Sequence, residues 1–108
     1  MKTTYLPALV LLASASTVPL DSIAAGGATA GKAKAATCMG CHGIPSYINA
    51  YPTYHVPRLG GQHAQYLVSA LQAYKAGQRS HSTMQAQAQS LSDQDMEDIA
   101  AFFAASGK

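Results

Sequence analysis

The order of hydrophobic and polar positions predicts two amphipathic helices in the second half of the chain. Across residues 62–76 apolar side chains recur at intervals of three and four, the period of one helix face, and Gly77 follows as a natural stop. A second stripe begins after Ser92, whose hydroxyl suits a helix N-cap. Acidic side chains occupy its first turn, where the helix dipole favours them. The apolar stripe of this closing helix consists of Met96, Ile99, Ala100, Phe102 and Phe103.

The residues before and between these helices predict an all-α fold with three or four short helices and long loops. Residues 32–39 are rich in alanine and predict a short helix that ends at Gly40 or Gly43. Prolines and a glycine pair exclude a regular helix from residues 44–61, and residues 78–90 are polar and predicted to be irregular. No strand pattern is evident. Loops this long need an anchor of their own in a compact domain.

Residues 1–25 have the pattern of a cleavable secretory signal peptide. Lys2 supplies a positive start, a long apolar run follows, and small residues form a cleavage site after Ala24 or Ala25. Polar residues and a proline interrupt the run, which is shorter than the ~20 apolar residues that a spanning helix needs. We therefore expect residues 26–108 to form a single exported domain, tethered to the membrane only if the signal is not cleaved.

Composition and charge narrow the class of protein. The chain has 108 residues, of which 48% are hydrophobic and 11% charged, a balance typical of a folded domain. Its net charge of +2 comes from scattered basic residues, which excludes a nucleic-acid footprint and a polybasic membrane patch. Residues 26–31 are small and predicted to be a loose tether. A domain of about 80 residues has a marginal hydrophobic core, so a cofactor, a metal or a disulfide is expected to complete it.

Both cysteines lie in the run Cys38-Met39-Gly40-Cys41-His42, which is the attachment signature of a c-type heme. Two thiols one helical turn apart can add to the two vinyl groups of the porphyrin, and His42 is then directed under the iron as its proximal ligand. Export agrees with this prediction, because bacterial c-type heme is attached outside the cytoplasm.

Two other kinds of chemistry use a Cys-x-x-Cys pair. A redox-active dithiol of the thioredoxin type would accompany a βαβ pattern, and none is evident in the sequence. A zinc site of this kind favours a close pair of histidines, whereas His55, His63 and His81 are widely spaced. Covalent heme is therefore the favoured interpretation, and heme-free thiol chemistry and metal binding stay as alternatives.

Further motifs follow the Cys-x-x-Cys-His run in a characteristic order. They are Gly43 directly after Cys38–His42, then Pro57–Gln62, Tyr66–Leu67, Tyr74–Arg79 with a methionine shortly after, and Leu91–Asp93. With these motifs, residues 32–106 resemble a class I cytochrome c, most closely the small bacterial monoheme proteins and one half of the bacterial diheme cytochromes. The resemblance implies an all-α class I cytochrome c fold wrapped around one covalently attached heme c.

A low-spin electron carrier needs a second axial ligand besides His42, and a thioether ligand raises the reduction potential. Met39 lies between the attachment cysteines, and Met96 lies on the apolar stripe of the last helix, where Met usually packs. Met84 is therefore the favoured distal ligand, and the resemblance also implies a ligand Met shortly before the last helix. His81, three residues earlier, is the alternative and would give bis-His ligation.

The resemblance also implies roles for residues around the heme. The carbonyl of Pro57 would accept a hydrogen bond from the His42 ring, and Leu59 would pack on the porphyrin. Tyr66 and Phe103 would wall the pocket without a chemical role. Candidates to pair with the propionates are the cations of Arg58, Lys75 and Arg79 and the phenols of Tyr47, Tyr51 and Tyr54.

Iron that is coordinated on both faces predicts outer-sphere electron transfer and not enzyme catalysis. We expect a periplasmic carrier whose redox partners are a membrane quinol-oxidising complex and a terminal oxidase or reductase. Docking is expected near Met39, Gly40 and Ile44, with weak salt dependence because the two propionates bring the formal charge close to zero. The alternatives are an open-site heme sensor or peroxidase, with Arg79 and His81 as its distal pair, and a heme-free thiol-disulfide oxidoreductase.

Overall fold

A computed structural model describes Met1 and residues 27–107, which form five α-helices and one β-hairpin. The predicted signal peptide, apart from its first residue, lies outside the described residues. The helices are α1 Ala28–Lys34, α2 Ala36–His42, α3 Ala64–Lys75, α4 Ser82–Gln89 and α5 Asp93–Ala105, and between α2 and α3 lie β1 Ile48–Ala50 and β2 Thr53–His55. The all-α fold class is confirmed. Within residues 27–107, no helix combines the length and apolar character needed to cross a membrane.

The hydrophobic core lies where α1 and α3 pack against α5, and α4 also packs against α3. Its buried members come from the apolar stripes predicted for α3 and α5, joined by the alanine between α1 and α2. They are Ala35, Leu67, Ile99, Ala100 and Phe103. Three of these core residues, Leu67, Ile99 and Phe103, also line a cavity beside the core.

The first helix crosses α5 at a glycine. A β-carbon at Gly31 would lie 1.9 Å from the backbone carbonyl oxygen of Asp98 and 2.9 Å from the β-carbon of Phe102, so only glycine fits at this crossing. The prediction that residues 26–31 form a loose tether is therefore wrong for most of that segment. Its small residues indicate close packing against another helix, and a single sequence does not distinguish this from flexibility.

A charged network ties the start of the folded domain to α5. The buried carboxylate of Asp98 accepts hydrogen bonds from the backbone N–H of Gly27 at 2.7 Å and from the Lys34 ammonium at 2.6 Å. The same ammonium lies 2.8 Å from Asp95. It holds the pKa of both carboxyl groups below the usual range, and they in turn raise the pKa of Lys34. The buried charge is thus paired and hydrogen-bonded, as burial requires.

The last helix begins with a reciprocal cap. The Ser92 hydroxyl accepts a hydrogen bond from the backbone N–H of Asp95 at 3.1 Å, and the Asp95 carboxylate accepts one from the backbone N–H of Ser92 at 2.9 Å. The predicted N-cap is present. The predicted stop of α3 is present as well, since Gly77 directly follows its C-cap residue with φ of +73°.

The structure differs from the sequence prediction in two further segments. Residues 78–90 were predicted to be irregular but contain α4, which carries no apolar stripe and buries only Ala88. Its glutamines and alanines have high helix propensity, and packing on α3 supplies the remaining stability. Residues 44–61 contain the antiparallel hairpin, whose strands of three residues are too short to show an alternating pattern.

Candidate heme site

A cavity of about 480 Å³ lies between α2, the hairpin, α3, α4 and α5. Its walls are largely apolar. The apolar part of the lining consists of Val56, Leu59, Leu67, Ala70, Leu71, Ile99 and Phe103, with the rings of Tyr54, Tyr66 and Tyr74 beside them. Leu59, Tyr66 and Phe103, which the sequence analysis named as candidates for a heme pocket, all line this cavity. A concave apolar site with a few polar groups is typical of a bound cofactor.

Cys38 and Cys41 lie one turn apart on α2 and both line the cavity. The two cysteines form no disulfide with each other, Cys38 is half-buried and Cys41 is exposed. Burial raises the pKa of the Cys38 thiol above its usual value. A catalytic dithiol needs the opposite shift, toward a thiolate at neutral pH. The environment of Cys38 therefore disfavours the thiol-disulfide oxidoreductase alternative.

His42 is the last residue of α2 and lines the same cavity. Its Nδ1 lies 2.7 Å from the carbonyl oxygen of Pro57, a distance at which Nδ1–H donates to the carbonyl. This hydrogen bond selects the tautomer with the proton on Nδ1 and leaves the lone pair of Nε2 for a metal. The loop that carries Pro57 thus orients the ring for coordination.

Met84 is the methionine that faces this cavity. Of the methionines within residues 27–107, it alone lines the cavity, whereas Met96 is fully buried in α5 and Met39 is 41% exposed. The prediction that Met84 lies in an irregular loop is wrong, because it lies in the first turn of α4. The helix therefore holds its backbone in a regular conformation on one side of the cavity.

The four histidines have different places. His55 and His81 line the cavity together with His42, and His63 does not. His81 is the N-cap residue of α4, and its Nδ1 accepts a hydrogen bond from the backbone N–H of Met84 at 3.4 Å. The cavity contacts of His55 were missed, because the sequence prediction did not include the strand that carries it.

The three cationic candidates for pairing with the propionates also differ in whether they line the cavity. Arg58 and Arg79 line the cavity, whereas the Lys75 ammonium donates to the carbonyl of Leu91 and lies outside the lining. The Arg79 guanidinium lies 4.8 Å from the centre of the Tyr74 ring and 3.4 Å from the Tyr66 hydroxyl. Among the three loop tyrosines, Tyr54 lines the cavity.

The zinc alternative finds no support in the geometry. Over the part of the chain that the structure describes, no three His, Cys, Asp or Glu side chains are placed to share a metal ion. The donor set fits a heme instead: two thiols and an imidazole at the end of one helix, a thioether on another, and apolar walls between them. An apolar cleft with this donor set defines the class as a c-type heme protein.

Comparison with known proteins identifies the family. The cytochrome c family model matches residues 28–106, and the chain belongs to this family. It is 46% identical over 81 residues to cytochrome c4 of Pseudomonas aeruginosa, a match that covers 75% of this chain and 39% of that protein. It is also 46% identical over 82 residues to cytochrome c-554(548) of Halomonas halodenitrificans, covering 73% of this chain and 95% of that protein.

The fold has a solved counterpart. The structure of cytochrome c4 from Acidithiobacillus ferrooxidans superposes with a TM-score of 0.61 and 30% identity, covering 78% of this chain and 52% of that chain. The chain thus spans less than half the length of the Pseudomonas protein and nearly the whole of the Halomonas protein. The resemblance to a class I cytochrome c and to one half of a diheme cytochrome is confirmed, and the cofactor is covalently bound heme c.

Proposed function

We propose that this protein is a periplasmic electron carrier whose heme iron is coordinated by His42 and Met84. The observation that carries the proposal is the placement of both side chains on one cavity, with His42 Nδ1 2.7 Å from the Pro57 carbonyl oxygen. When bound, the heme supplies a one-electron Fe(III)/Fe(II) couple. Membership in the cytochrome c family supports electron transfer as its use.

The residues around the cavity have distinct parts in this function. Cys38 and Cys41 would hold the heme covalently, and Nε2 of His42 would coordinate the iron. The thioether of Met84 would be the second iron ligand and would give a higher reduction potential than a second imidazole. With both of these ligands supplied by the protein, no coordination position would be left for a substrate, so we infer a carrier and not an enzyme.

Partner binding is proposed at the surface around the exposed Cys41. Met39 and Ile44 flank it and are 41% and 47% exposed. No Lys, Arg, Asp or Glu lies between Lys34 and Arg58 in the sequence. An uncharged docking surface favours small, transient interfaces with little electrostatic steering. The partners proposed are a membrane quinol-oxidising complex and a terminal oxidase or reductase, reached outside the cytoplasm.

The peroxidase alternative requires an available distal pair from Arg79 and His81. In the structure the Arg79 guanidinium lies over the Tyr74 ring, and His81 accepts the backbone hydrogen bond of Met84. Both groups therefore already have partners within the protein. This supports the closed, low-spin interpretation over the open site.

An absorption spectrum from the visible to the near-infrared tests the proposed ligation. The protein is co-expressed with the heme-attachment machinery and measured oxidised and reduced, beside Met84→Ala and the core control Met96→Leu. We expect sharp low-spin bands and a weak iron–sulfur charge-transfer band that disappears only in Met84→Ala. High-spin features in the wild-type protein would contradict the carrier function, and absence of covalent heme would return the cysteines to thiol chemistry.

The proposed location has a separate test. Cell fractionation should recover the heme protein in the periplasm, and sequencing of its N-terminus should give a start at Ala25 or Gly26, one residue beyond the predicted cleavage sites. Recovery in the membrane fraction with residues 1–25 still attached would show a tethered carrier instead.

A further inference from the structure

On the side of the cavity that carries Met84, three lining residues contact one another in turn, and two of them have no part in the proposed function. The Tyr54 ring on β2 meets the His81 ring edge-on, with centroids 4.8 Å apart and an interplanar angle of 86°. Nδ1 of His81 in turn accepts a hydrogen bond from the backbone N–H of Met84 at 3.4 Å. Tyr54, His81 and Met84 all line the cavity. The hairpin is thereby connected through one imidazole to the residue proposed as distal ligand.

His81 has the geometry of a helix N-cap although histidine is a poor choice for one. Its extended backbone, φ −169° and ψ 109°, precedes Ser82, the first residue of α4, and Met84 is the third residue of the helix. An N-cap side chain accepts from the second or third backbone N–H, and Ser, Asp and Asn do so most effectively. Those shorter side chains would lack a ring to meet Tyr54. The aromatic contact therefore accounts for an imidazole at this position.

Little else holds the start of α4. The helix has no acidic residue in its first turn, and His81 supplies its only side-chain N-cap in the structure. The buried residue of α4, Ala88, lies near the far end of the helix. The first turn, which carries Met84, therefore depends on the His81 ring more than the rest of the helix does.

We propose that His81, held in place by Tyr54, is a positioning residue that keeps Met84 at the distal face of the heme. This inference rests on the proposed His42/Met84 ligation and adds a function for two side chains that do not bind the iron. The Nδ1 atom of His81 orients the first turn of α4, and the Tyr54 ring orients His81. The hairpin thus stabilises the position of the distal ligand through the contact between Tyr54 and His81.

Imidazole binding to the ferric holoprotein measures how firmly Met84 is held, because added imidazole competes with the thioether for the distal position. Removing an N-cap side chain typically costs about 1 kcal/mol, which corresponds to about a five-fold change in an equilibrium constant. We therefore expect His81→Ala to bind imidazole about five-fold more tightly and to show a weaker iron–sulfur band.

Two paired substitutions separate positioning from a general loss of stability. His81→Asn keeps an N-cap acceptor and loses only the Tyr54 contact, so its imidazole affinity should rise by about two-fold. Tyr54→Leu should give a similar change, while Tyr54→Phe, which keeps the ring that meets His81, should change the imidazole affinity less than Tyr54→Leu does. The Tyr54 pair keeps the test valid if His81→Ala does not fold.

His63→Ala is the matched control. His63 is the N-cap residue of α3, but its side chain makes no cap hydrogen bond and does not line the cavity. This variant should retain the wild-type imidazole affinity and iron–sulfur band. The comparison therefore isolates the effect of the cap at α4 from that of losing an N-cap histidine elsewhere.

The outcomes distinguish this inference from the proposed function. A wild-type iron–sulfur band together with equal imidazole affinity in the wild type, His81→Ala and Tyr54→Leu would overturn the positioning role alone. A wild-type spectrum without that band, combined with loss of low-spin character in both His81→Ala and His81→Asn, would identify His81 as the ligand. That result would overturn the assignment of Met84 and this inference together.

Discussion

Two regions of the molecule differ in how closely they pack. One is the contact between α1 and α5, and the other is the cavity wall formed by the hairpin and α4. At the α1–α5 crossing, Gly31 allows the backbones to touch, and the buried Asp98 carboxylate binds both the start and the end of α1. The cavity wall has longer contacts: a 3.4 Å hydrogen bond from Met84 to His81 and a ring edge from Tyr54. One region is closed by protein alone, and the other faces a space for the cofactor.

Because of this difference, one region should determine the stability of the domain and the other should determine the properties of the iron site. Regions with many buried contacts open only with global unfolding, whereas regions with few buried contacts open at lower free energy. Changes at the α1–α5 crossing should therefore destabilise the whole domain and leave the iron ligands alone. Changes along the hairpin and α4 should move the iron–sulfur band and imidazole affinity with little effect on unfolding.

The largest effect is expected from Gly31→Ala. The added β-carbon would lie 1.9 Å from the carbonyl oxygen of Asp98, so α1 must move away from α5. Overpacking of this kind costs roughly 3 kcal/mol. Denaturant unfolding of the holoprotein measures it. At Gly40, in the middle of α2, an alanine meets nothing within 4 Å and should stabilise the helix slightly. Similar losses in the two variants would contradict the crossing argument.

Asp98→Asn is expected to cause the second-largest loss of stability. It removes one of the two charged partners of Lys34 and weakens the acceptor for Gly27, both at a buried carboxylate. The melting temperature should fall on the order of 5 °C. Asp93→Asn, at an exposed position in the first turn of the same helix, serves as the control. Equal melting temperatures for both variants would mean that the network contributes nothing.

The same network predicts a pH dependence. Lys34 lowers the folded-state pKa of Asp95 and Asp98 below the unfolded value near 3.9, so their contribution is full above that pH and is lost as the pH falls through the folded pKa. The pKa of Lys34 is raised, so its contribution persists through neutral pH and is lost in strong alkali. Lys34→Met should flatten the acid limb of stability measured against pH. An unchanged acid limb would exclude this network as its origin.

Ser92→Ala should have a smaller effect on the same region. It removes the side-chain acceptor of the capping box at the start of α5 and should cost about 1 kcal/mol of unfolding free energy. The iron–sulfur band should stay unchanged, in contrast to His81→Ala at the start of α4. The matched control is Ser82→Ala, an exposed position in the first turn of α4. A shift of the band in Ser92→Ala would show that the two regions are coupled.

Arg79→Gln should change stability least. Its guanidinium lies on the Tyr74 ring and near the Tyr66 hydroxyl, but the side chain is exposed and solvent screens the interaction. The expected loss is about 0.5 kcal/mol. Arg79→Lys keeps the charge and should lose less. A loss as large as that of Ser92→Ala would show a stronger role for this cation at the cavity mouth.

Local patterns in the sequence predicted the parts of the site that depend on neighbouring residues. The spacing of Cys38, Cys41 and His42 along one helical turn predicts the covalent attachment and the proximal ligand within five residues. Ser92 and the acidic first turn of α5 predicted the start of that helix. The apolar stripe of α3 predicted which face of that helix is turned to the protein interior, because apolar periodicity along a long helix is a strong local signal.

The sequence alone determined the class of protein, because cofactor attachment and helix capping are set by residues three or four positions apart. Tertiary structure decided which small residues pack closely and which loops are ordered. Gly31 has the sequence pattern of a tether, and only its contact with α5 shows that it packs closely. The helix that carries Met84 has no apolar stripe, and the structure shows it packed on α3 with His81 as its N-cap. The Tyr54–His81 contact joins residues 27 positions apart on separate elements, and no local pattern encodes such a distance.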